Sequence, residues 1–248
     1  MDLVSIIIPY FKKKEFVKNS IFSVLNQTYP NLEIIIIYDD TDKSDLTFLK
    51  KEFYIYKKIK FLINSKNIGA GISRNKGIRL AKGKYICFLD ADDYWNKNKI
   101  EKQLKFMKKK KLKISHTSYK IVNEKKKYIS SRIARDFFKL SDIIKSCDIG
   151  LSTVMIEKKI LTKKIKFPPL KTKEDFVLWI NLLKKGYTIG GLNLFLTSWR
   201  KSRYSLSSST IQKLFDGFKV YKYYLKFSTL KSLVYLLYLS INYLKKNG

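Results

Sequence analysis

Tyr85-Ile86-Cys87-Phe88-Leu89-Asp90-Ala91-Asp92-Asp93 is an apolar run that stops abruptly on three carboxylates. Hydrophobic residues following Gly83 predict a buried strand, and in open α/β sheets such strands end at the crevice where ligands bind. In extended backbone, residues two apart point the same way, so Asp90 and Asp92 are expected to project together, about 6.6 Å apart along the strand. Like charges held side by side repel unless something offsets them. A divalent cation bridging to phosphate oxygens does so, because Mg²⁺ and Mn²⁺ favour carboxylates together with substrate phosphates. The competing reading is a solvated Asp-rich turn, and the rest of the chain decides between the two.

Upstream, the same sheet edge is predicted twice more. Val4 to Ile8 reads as a strand closed by Pro9, and Leu32 to Tyr38 as a continuous apolar strand ending in Asp39-Asp40. Phe16, Val17, Ile21, Val24 and Leu25 fall at helical spacing, with Pro30 as a stop. A lysine-rich helix from Leu46 to Phe53 leads to a strand from Ile59 to Ile63, and a helix from Asn67 to Ala81 is introduced by Gly69 and Gly71. Apolar strands alternating with helices predict a parallel sheet covered on both faces. Right-handed crossovers bring the strand C-termini to one edge, so Pro9-Tyr10, Asp39-Asp40 and Asp90 to Asp93 are expected to converge.

Downstream, a helix carries Ile100, Leu104 and Met107, and Lys125-Lys126-Lys127 marks a hairpin or loop. Ser152 to Ile156 reads as a strand. Glu174 to Lys185 reads as an amphipathic helix through Phe176, Val177, Ile180 and Leu183, ended by Gly186. Tyr187 to Trp199 reads as one or two strands kinked at Gly190-Gly191, and from about Ile211 the chain is helical.

Composition narrows the function classes. With 45% hydrophobic and 15% aromatic residues over 248 positions, the chain can bury one sizeable core and is not disordered. A net charge of +32 ordinarily points to nucleic acid or an anionic membrane. Only six of the 52 basic residues are arginine, however, and they are scattered. Arginine is favoured for bidentate phosphate and base recognition, so specific nucleic-acid binding is not expected, whereas attraction to anionic lipid is. Cys87 and Cys147 show no metal spacing and read as buried thiols of a reducing compartment. His116, the single histidine, reads as a structural residue of a strand. The first strand begins almost at once and no uninterrupted 18-residue apolar run follows, so a cytoplasmic chain without signal peptide or membrane span is expected.

The order of these pieces resembles the family 2 glycosyltransferases of the GT-A fold. The resembling fragments are Val4 to Tyr10, Ser23 to Tyr29, Glu33 to Asp40, Asn67-Ile68-Gly69, Ser73 to Gly77, Gly83 to Asp93, Glu174-Asp175, and Trp199-Arg200 with Ser205-Leu206-Ser207. The resemblance implies a GT-A α/β fold, a doubly wound and mostly parallel sheet with C-terminal helices. It divides the chain into a nucleotide-sugar-binding half over 1–112, an acceptor-binding and catalytic half over 113–207, and a helical appendage over 208–248.

By the same resemblance, Pro9, Tyr10, Asp39, Asn67, Arg74 and Asp90 would bind the nucleotide, and Asp90 and Asp92 would hold Mn²⁺ or Mg²⁺. An aspartate at a strand end can accept a base N–H, and a tyrosine offers an aromatic face. The family usually has an acidic pair followed by Gly and Ser, whereas Tyr38 here precedes Asp39-Asp40-Thr41, which leaves both aspartates open as the partner of the base. Glu174 and Asp175 match the acidic pair that supplies the general base, with Asp175 taking the acceptor's proton in one inverting displacement. Against this, Thr172-x-x-Asp175 also fits a capping box, a purely structural role. Trp199 and Arg200 would close over the acceptor or diphosphate.

The implied activity is transfer of a sugar from a nucleotide sugar, a UDP-sugar by preference, to a carbohydrate or lipid-linked acceptor in envelope polysaccharide synthesis. One rival is a sugar-nucleotide nucleotidyltransferase, which needs a Gly-rich loop after the first strand; Phe11-Lys12-Lys13-Lys14 has no glycine. The other is a non-catalytic basic protein. Leu230, Leu233, Val234, Leu237, Tyr238, Ile241 and Leu244 recur at helical spacing beside lysines, which predicts either a helix lying at an anionic membrane surface or one packed on the domain.

Overall fold

Alternate isoleucines of the first two strands face opposite sides of the sheet, and each side has its own core. In the computed structural model, which describes residues 1–202 and 209–247, β1 spans Val4–Tyr10 and β2 spans Leu32–Tyr38. They pair in parallel with Val4 opposite Leu32 and Tyr10 opposite Tyr38. Ile7, Ile35 and Ile37 enter one core; Ile6, Ile8, Ile34 and Ile36 enter the other. A strand buried on both faces is expected to be almost continuously apolar, and each is, apart from Ser5 and Glu33, which lie opposite each other. β3 (Ile59–Ile63) and β4 (Tyr85–Phe88) extend this parallel group on either side. Pro9 does not close β1, since the strand runs one residue further to Tyr10. The C-terminal motif fragment Ser205-Leu206-Ser207 lies outside the described residues.

The sheet order is β3-β2-β1-β4-β8-β6-β9-β5, with β7 paired to β6. Here β5 is Tyr94–Trp95, β6 Ile114–Val122, β7 Tyr128–Arg132, β8 Met155–Glu157 and β9 Ile189–Arg200. Only the first half is purely parallel. β8 runs antiparallel to both β4 and β6, so the sheet as a whole is mixed rather than mostly parallel. The Lys-rich hairpin is as expected, with Lys126 left-handed at its turn. Tyr187 to Trp199 gives one strand, whose pairing slips opposite Ser118.

Among the described residues seven α-helices flank the sheet: α1 (Lys14–Leu25), α2 (Ser44–Phe53), α3 (Ala70–Leu80), α4 (Lys99–Lys109), α5 (Glu174–Lys184), α6 (Thr210–Lys219) and α7 (Thr229–Asn247). α3 starts at Ala70 because Gly69 takes a positive φ of 85°, which glycine alone adopts readily. α5 departs from the amphipathic expectation. Phe176 to Ile180 are all buried, because Tyr221 and its neighbours cover the face that would otherwise meet solvent. Val220, Tyr221, Leu225 and Leu239 belong to the same core as α5, so the C-terminal helices are part of the domain rather than an appendage.

One buried carboxylate stitches the parallel half. Glu33 of β2 accepts from Ser5 Oγ at 2.6 Å, from Lys60 Nζ at 2.9 Å, and from the backbone N–H groups of Lys82 and Gly83 ahead of β4. Burial pushes its carboxyl up, but these donors outweigh burial and hold it below the usual glutamate range. A depressed folded value means that the contribution is present at neutral pH and is lost as pH falls through that value. Glu33→Gln should therefore lower unfolding free energy by about 2–3 kcal/mol at pH 7, read by urea titration. The gap to wild type should narrow toward acid.

Candidate active site

A single guanidinium gathers the ends of three elements. Arg74 of α3 donates through Nη2 to Asp90 Oδ1 and through Nη1 to Glu174 Oε1, both at 2.6 Å. Its side chain is 4% exposed, so the cation at the centre of the triad is buried, with Glu174 nearly so and Asp90 reaching toward solvent. Phe167 lies under the guanidinium at 5.5 Å. The loop that carries Phe167 is pinned by Asn75, which exchanges two hydrogen bonds with the Phe167 backbone. At Gly71 an added Cβ would come within 3.0 Å of the Glu174 side chain, so the first turn of α3 sits directly on the start of α5.

Charge in this cluster is strongly coupled. Burial alone would disfavour charged Arg74, but Asp90 and Glu174 outweigh it and keep the guanidinium ionised. Burial pushes the Glu174 carboxyl up to about 7, against the pull of Arg74 and with the help of Asp175. The Asp175 carboxyl is also raised, chiefly by burial, although Lys173 and the Phe176 N–H pull it down. The capping reading is not what forms: Lys173 in a left-handed conformation precedes α5, and Thr172 instead gives its N–H and hydroxyl to Asp216 of α6. Asp175 Oδ1 accepts from the adjacent Phe176 N–H at 2.7 Å, and Oδ2 has no donor among the described residues.

The three carboxylates after β4 separate. The strand ends at Phe88, and residues 90–93 form a turn closed by a hydrogen bond from the Asp93 N–H to the Asp90 carbonyl at 3.0 Å. The expected extended pairing of Asp90 with Asp92 is thus replaced by a turn that still leaves both near the crevice. Asp92 Oδ2 lies 2.9 Å from Lys13 Nζ, which also donates to Ser202 Oγ. Burial raises the Asp92 carboxyl, Lys13 lowers it, and Asp90 raises it again. Asp93 turns inward, accepting from Ser152 Oγ at 2.6 Å and from the Arg200 N–H at 2.8 Å, so it fixes the turn to β9.

These features fit a divalent cation. Asp90 lies close enough to disfavour charge on Asp92, and Lys13 Nζ already sits against the Asp92 carboxylate. Among the described residues no three acidic, His or Cys side chains are placed to hold a metal ion by themselves, so a hard cation bound by Asp90 and Asp92 would complete its oxygen shell with phosphate.

Several expected nucleotide contacts are otherwise employed. Asp39 is buried; its Oδ1 accepts from Asn64 Nδ2 and the Ile68 N–H, and its Oδ2 from the Gly69 N–H, all within 2.9 Å. It thereby holds the loop that starts α3, and Asn67 Nδ2 reaches the Asp39 carbonyl at 3.0 Å. Asp40, the other candidate for the base, is buried too and accepts from the Asp42 N–H. Tyr10 has no face to offer a base: it is fully buried, stacks on Tyr38 at 5.1 Å, and donates its hydroxyl to Asp45. Pro9 stays partly exposed at the end of β1. Arg200 is packed over Phe16 at 4.4 Å with Nη2 on Asn19, so its guanidinium does not reach into the crevice, and Trp199 beside it is half-buried. His116 is structural as expected, buried with Nε2 on the Arg135 carbonyl and its pKa pushed by burial down to about 4.

No sequence signal marks Lys13 as the partner of Asp92, and Asp93, expected at the crevice with Asp90 and Asp92, turns inward instead, because nothing in an Asp-Asp pair marks which member does so.

Residues 5–163 match the family model described as Glycosyl transferase family 2. The putative teichuronic acid biosynthesis glycosyltransferase TuaG of Bacillus subtilis is 35% identical over 208 residues, covering 84% of this chain and 82% of that protein. WfgD of Escherichia coli, a UDP-Glc:alpha-D-GlcNAc-diphosphoundecaprenol beta-1,3-glucosyltransferase, is 34% identical over 214 residues, 86% of this chain and 82% of that one. Among solved structures, the mannosyltransferase PcManGT from Pyrobaculum calidifontis, in complex with GDP-Man and Mn²⁺, gives a TM-score of 0.71 at 11% identity, over 95% of this chain and 70% of that one. The likeness at that identity is one of fold, the GT-A fold.

Arg74→Met should leave the buried Glu174 and the partly exposed Asp90 without their counter-charge, at a cost of about 3 kcal/mol in chemical unfolding, since solvent screens the Asp90 side. Arg74→Lys can reach one carboxylate but cannot present two nitrogens in a fork, so its loss should fall between Met and wild type.

Proposed function

Since the chain belongs to glycosyl transferase family 2 and is a glycosyltransferase, we propose that this crevice transfers a hexose from a UDP-sugar to a sugar of a diphospholipid-linked acceptor during envelope polysaccharide assembly. The observation that carries the reading is the convergence of Asp90, Arg74 and the α5 start on one spot, with Asp175 Oδ2 left open beside them. Support for donor and acceptor comes from the WfgD relative, named for glucosyl transfer from UDP-Glc to a diphosphoundecaprenol-linked sugar.

In the proposed step, Asp175 Oδ2 accepts the proton of the acceptor hydroxyl while the hydroxyl oxygen bonds to the anomeric carbon. The bond from that carbon to the diphosphate oxygen breaks, its electron pair leaves with the nucleoside diphosphate, and the configuration inverts. Burial suits Asp175 to this task, because a base with a raised pKa holds the proton better than an ordinary aspartate. Glu174 is a positioning residue: its carboxylate is committed to Arg74, which keeps α5 and Asp175 in register with Asp90. Lys13 supplies positive charge on the Asp92 side, where the diphosphate gathers negative charge on leaving. When bound, Mn²⁺ or Mg²⁺ held by Asp90 and Asp92 would add Lewis-acid stabilisation of the leaving group.

Asp175→Asn should keep UDP affinity in the presence of Mn²⁺ while transfer falls by roughly 10²–10⁴-fold; near-normal transfer would return Asp175 to a structural role. The wild-type rate should fall on its acid side at a pH above the ordinary aspartate pKa of about 3.9, since the raised group must be deprotonated to act. Asp92→Asn should instead weaken UDP binding chiefly when Mn²⁺ is present. Thermal shift with UDP, with and without metal, followed by turnover of a panel of nucleotide sugars, tests the assignment. No response to any nucleotide would overturn it.

A further inference from the structure

Helix α7 is apolar on two opposite faces, and the domain covers only one of them. At about 100° of rotation per residue, Ser232, Leu236 and Leu239 share the inward face; Ser232 and Leu239 are buried and Leu236 packs on the core. Leu230, Leu233, Leu237 and Leu244 share the opposite face, exposed by 75%, 51%, 61% and 66%. On α6, packed against α7, Ile211 and Phe215 are exposed as well. One exposed leucine needs no account, whereas a continuous stripe along a whole helix marks an interaction surface.

Charge selects the occupant. From Ser209 to Asn247 the sole acidic residue is Asp216, and it is buried against Thr172. Lysines recur throughout the same segment, among them Lys213, Lys222, Lys226, Lys231 and Lys245. A second copy seated on this face would bring the same lysines and the same +32 charge against it, which repels. An anionic lipid surface offers both partners at once, acidic headgroups for the lysines and acyl chains for the leucines. α7 cannot cross the bilayer: its inner face is held by the domain, and no described helix is long and apolar enough to span.

We propose that the outer face of α7 docks the enzyme on an anionic bilayer, with the helix lying in the plane of the headgroups. The inference rests on the lipid-linked acceptor of the preceding section, since docking brings the crevice to the surface where such an acceptor resides. The α6–Thr172 bond ties this face to the chain two residues before Glu174.

The full chain is to be sedimented with vesicles of phosphatidylcholine alone and of phosphatidylcholine mixed with phosphatidylglycerol, at low and high salt. Binding is expected to the mixed vesicles, weakening with salt as headgroup attraction is screened. The triple variant Leu233→Ser, Leu237→Ser, Leu244→Ser should lose at least about tenfold in partitioning, with melting temperature and vesicle-free UDP-sugar hydrolysis unchanged. Leu237→Met should bind as wild type. Failure of the wild-type chain to bind mixed vesicles, or equal binding by the triple variant, overturns the proposal. So does a concentration-dependent dimer in light scattering that the triple variant dissolves. Hydrolysis without vesicles reports separately on the catalytic reading, so vesicle binding without hydrolysis would sink that reading and not the docking face.

Discussion

A guanidinium buried between two carboxylates is tolerated only when both stay in place, and this constraint organises the crevice. Arg74 lies 16 residues from Asp90 and 100 from Glu174, so one side chain couples the end of a strand, the first turns of one helix and the start of another. Removing either partner would leave a charge uncompensated in a medium that solvates it poorly. None of the three elements can shift alone. Asp175 inherits its position from this arrangement, one residue along from a glutamate that cannot let go. Placement of the proposed base is thus enforced from outside the base itself.

The turn after β4 obeys the same logic by a different route. Its three aspartates could not all face one crevice without severe mutual repulsion. The chain resolves this by aiming Asp93 inward onto a serine and a backbone N–H, and by setting Lys13 against Asp92. Burial and its two neighbours nonetheless push the Asp93 carboxyl well above the ordinary aspartate range. Charge is spread over three directions, and only two carboxylates remain near the solvent side.

Much of this was legible in the sequence, and the boundary of legibility has a physical cause. The β2 limits match the expected range because a strand buried on both faces leaves a nearly unbroken apolar signature, and the edge strand β3 matches too, although it is only half-buried and carries Lys60. Resemblance set Arg74 and Asp90 at the nucleotide and Glu174 in the acidic pair; that one guanidinium ties all three together is visible only in the fold. What the sequence concealed was contact made by folding back: Tyr10 losing its face to Tyr38, Asp39 spending its carboxylate on the α3 loop, and Arg200 lying over Phe16. Each depends on a partner distant in sequence whose own pattern is unremarkable. Thr172 and Asp175 matched a local capping pattern, yet Asp216 of α6, 44 residues on, captured the threonine first.

The α5 helix shows why periodicity alone misjudged the C-terminal segment. Phe176-Val177-Leu178-Trp179-Ile180 is apolar without interruption, too much for a helix with one wet side. Its second cover comes from Val220, Tyr221 and Leu225, more than thirty residues later. During synthesis, therefore, the sheet and α5 emerge from the ribosome well before the residues that seal them. A large greasy flank stays bare for that interval, the situation in which nascent chains aggregate or recruit chaperones. A stalled or prematurely terminated message would yield a sticky product rather than a smaller working enzyme, and the cell's quality control would meet it as such.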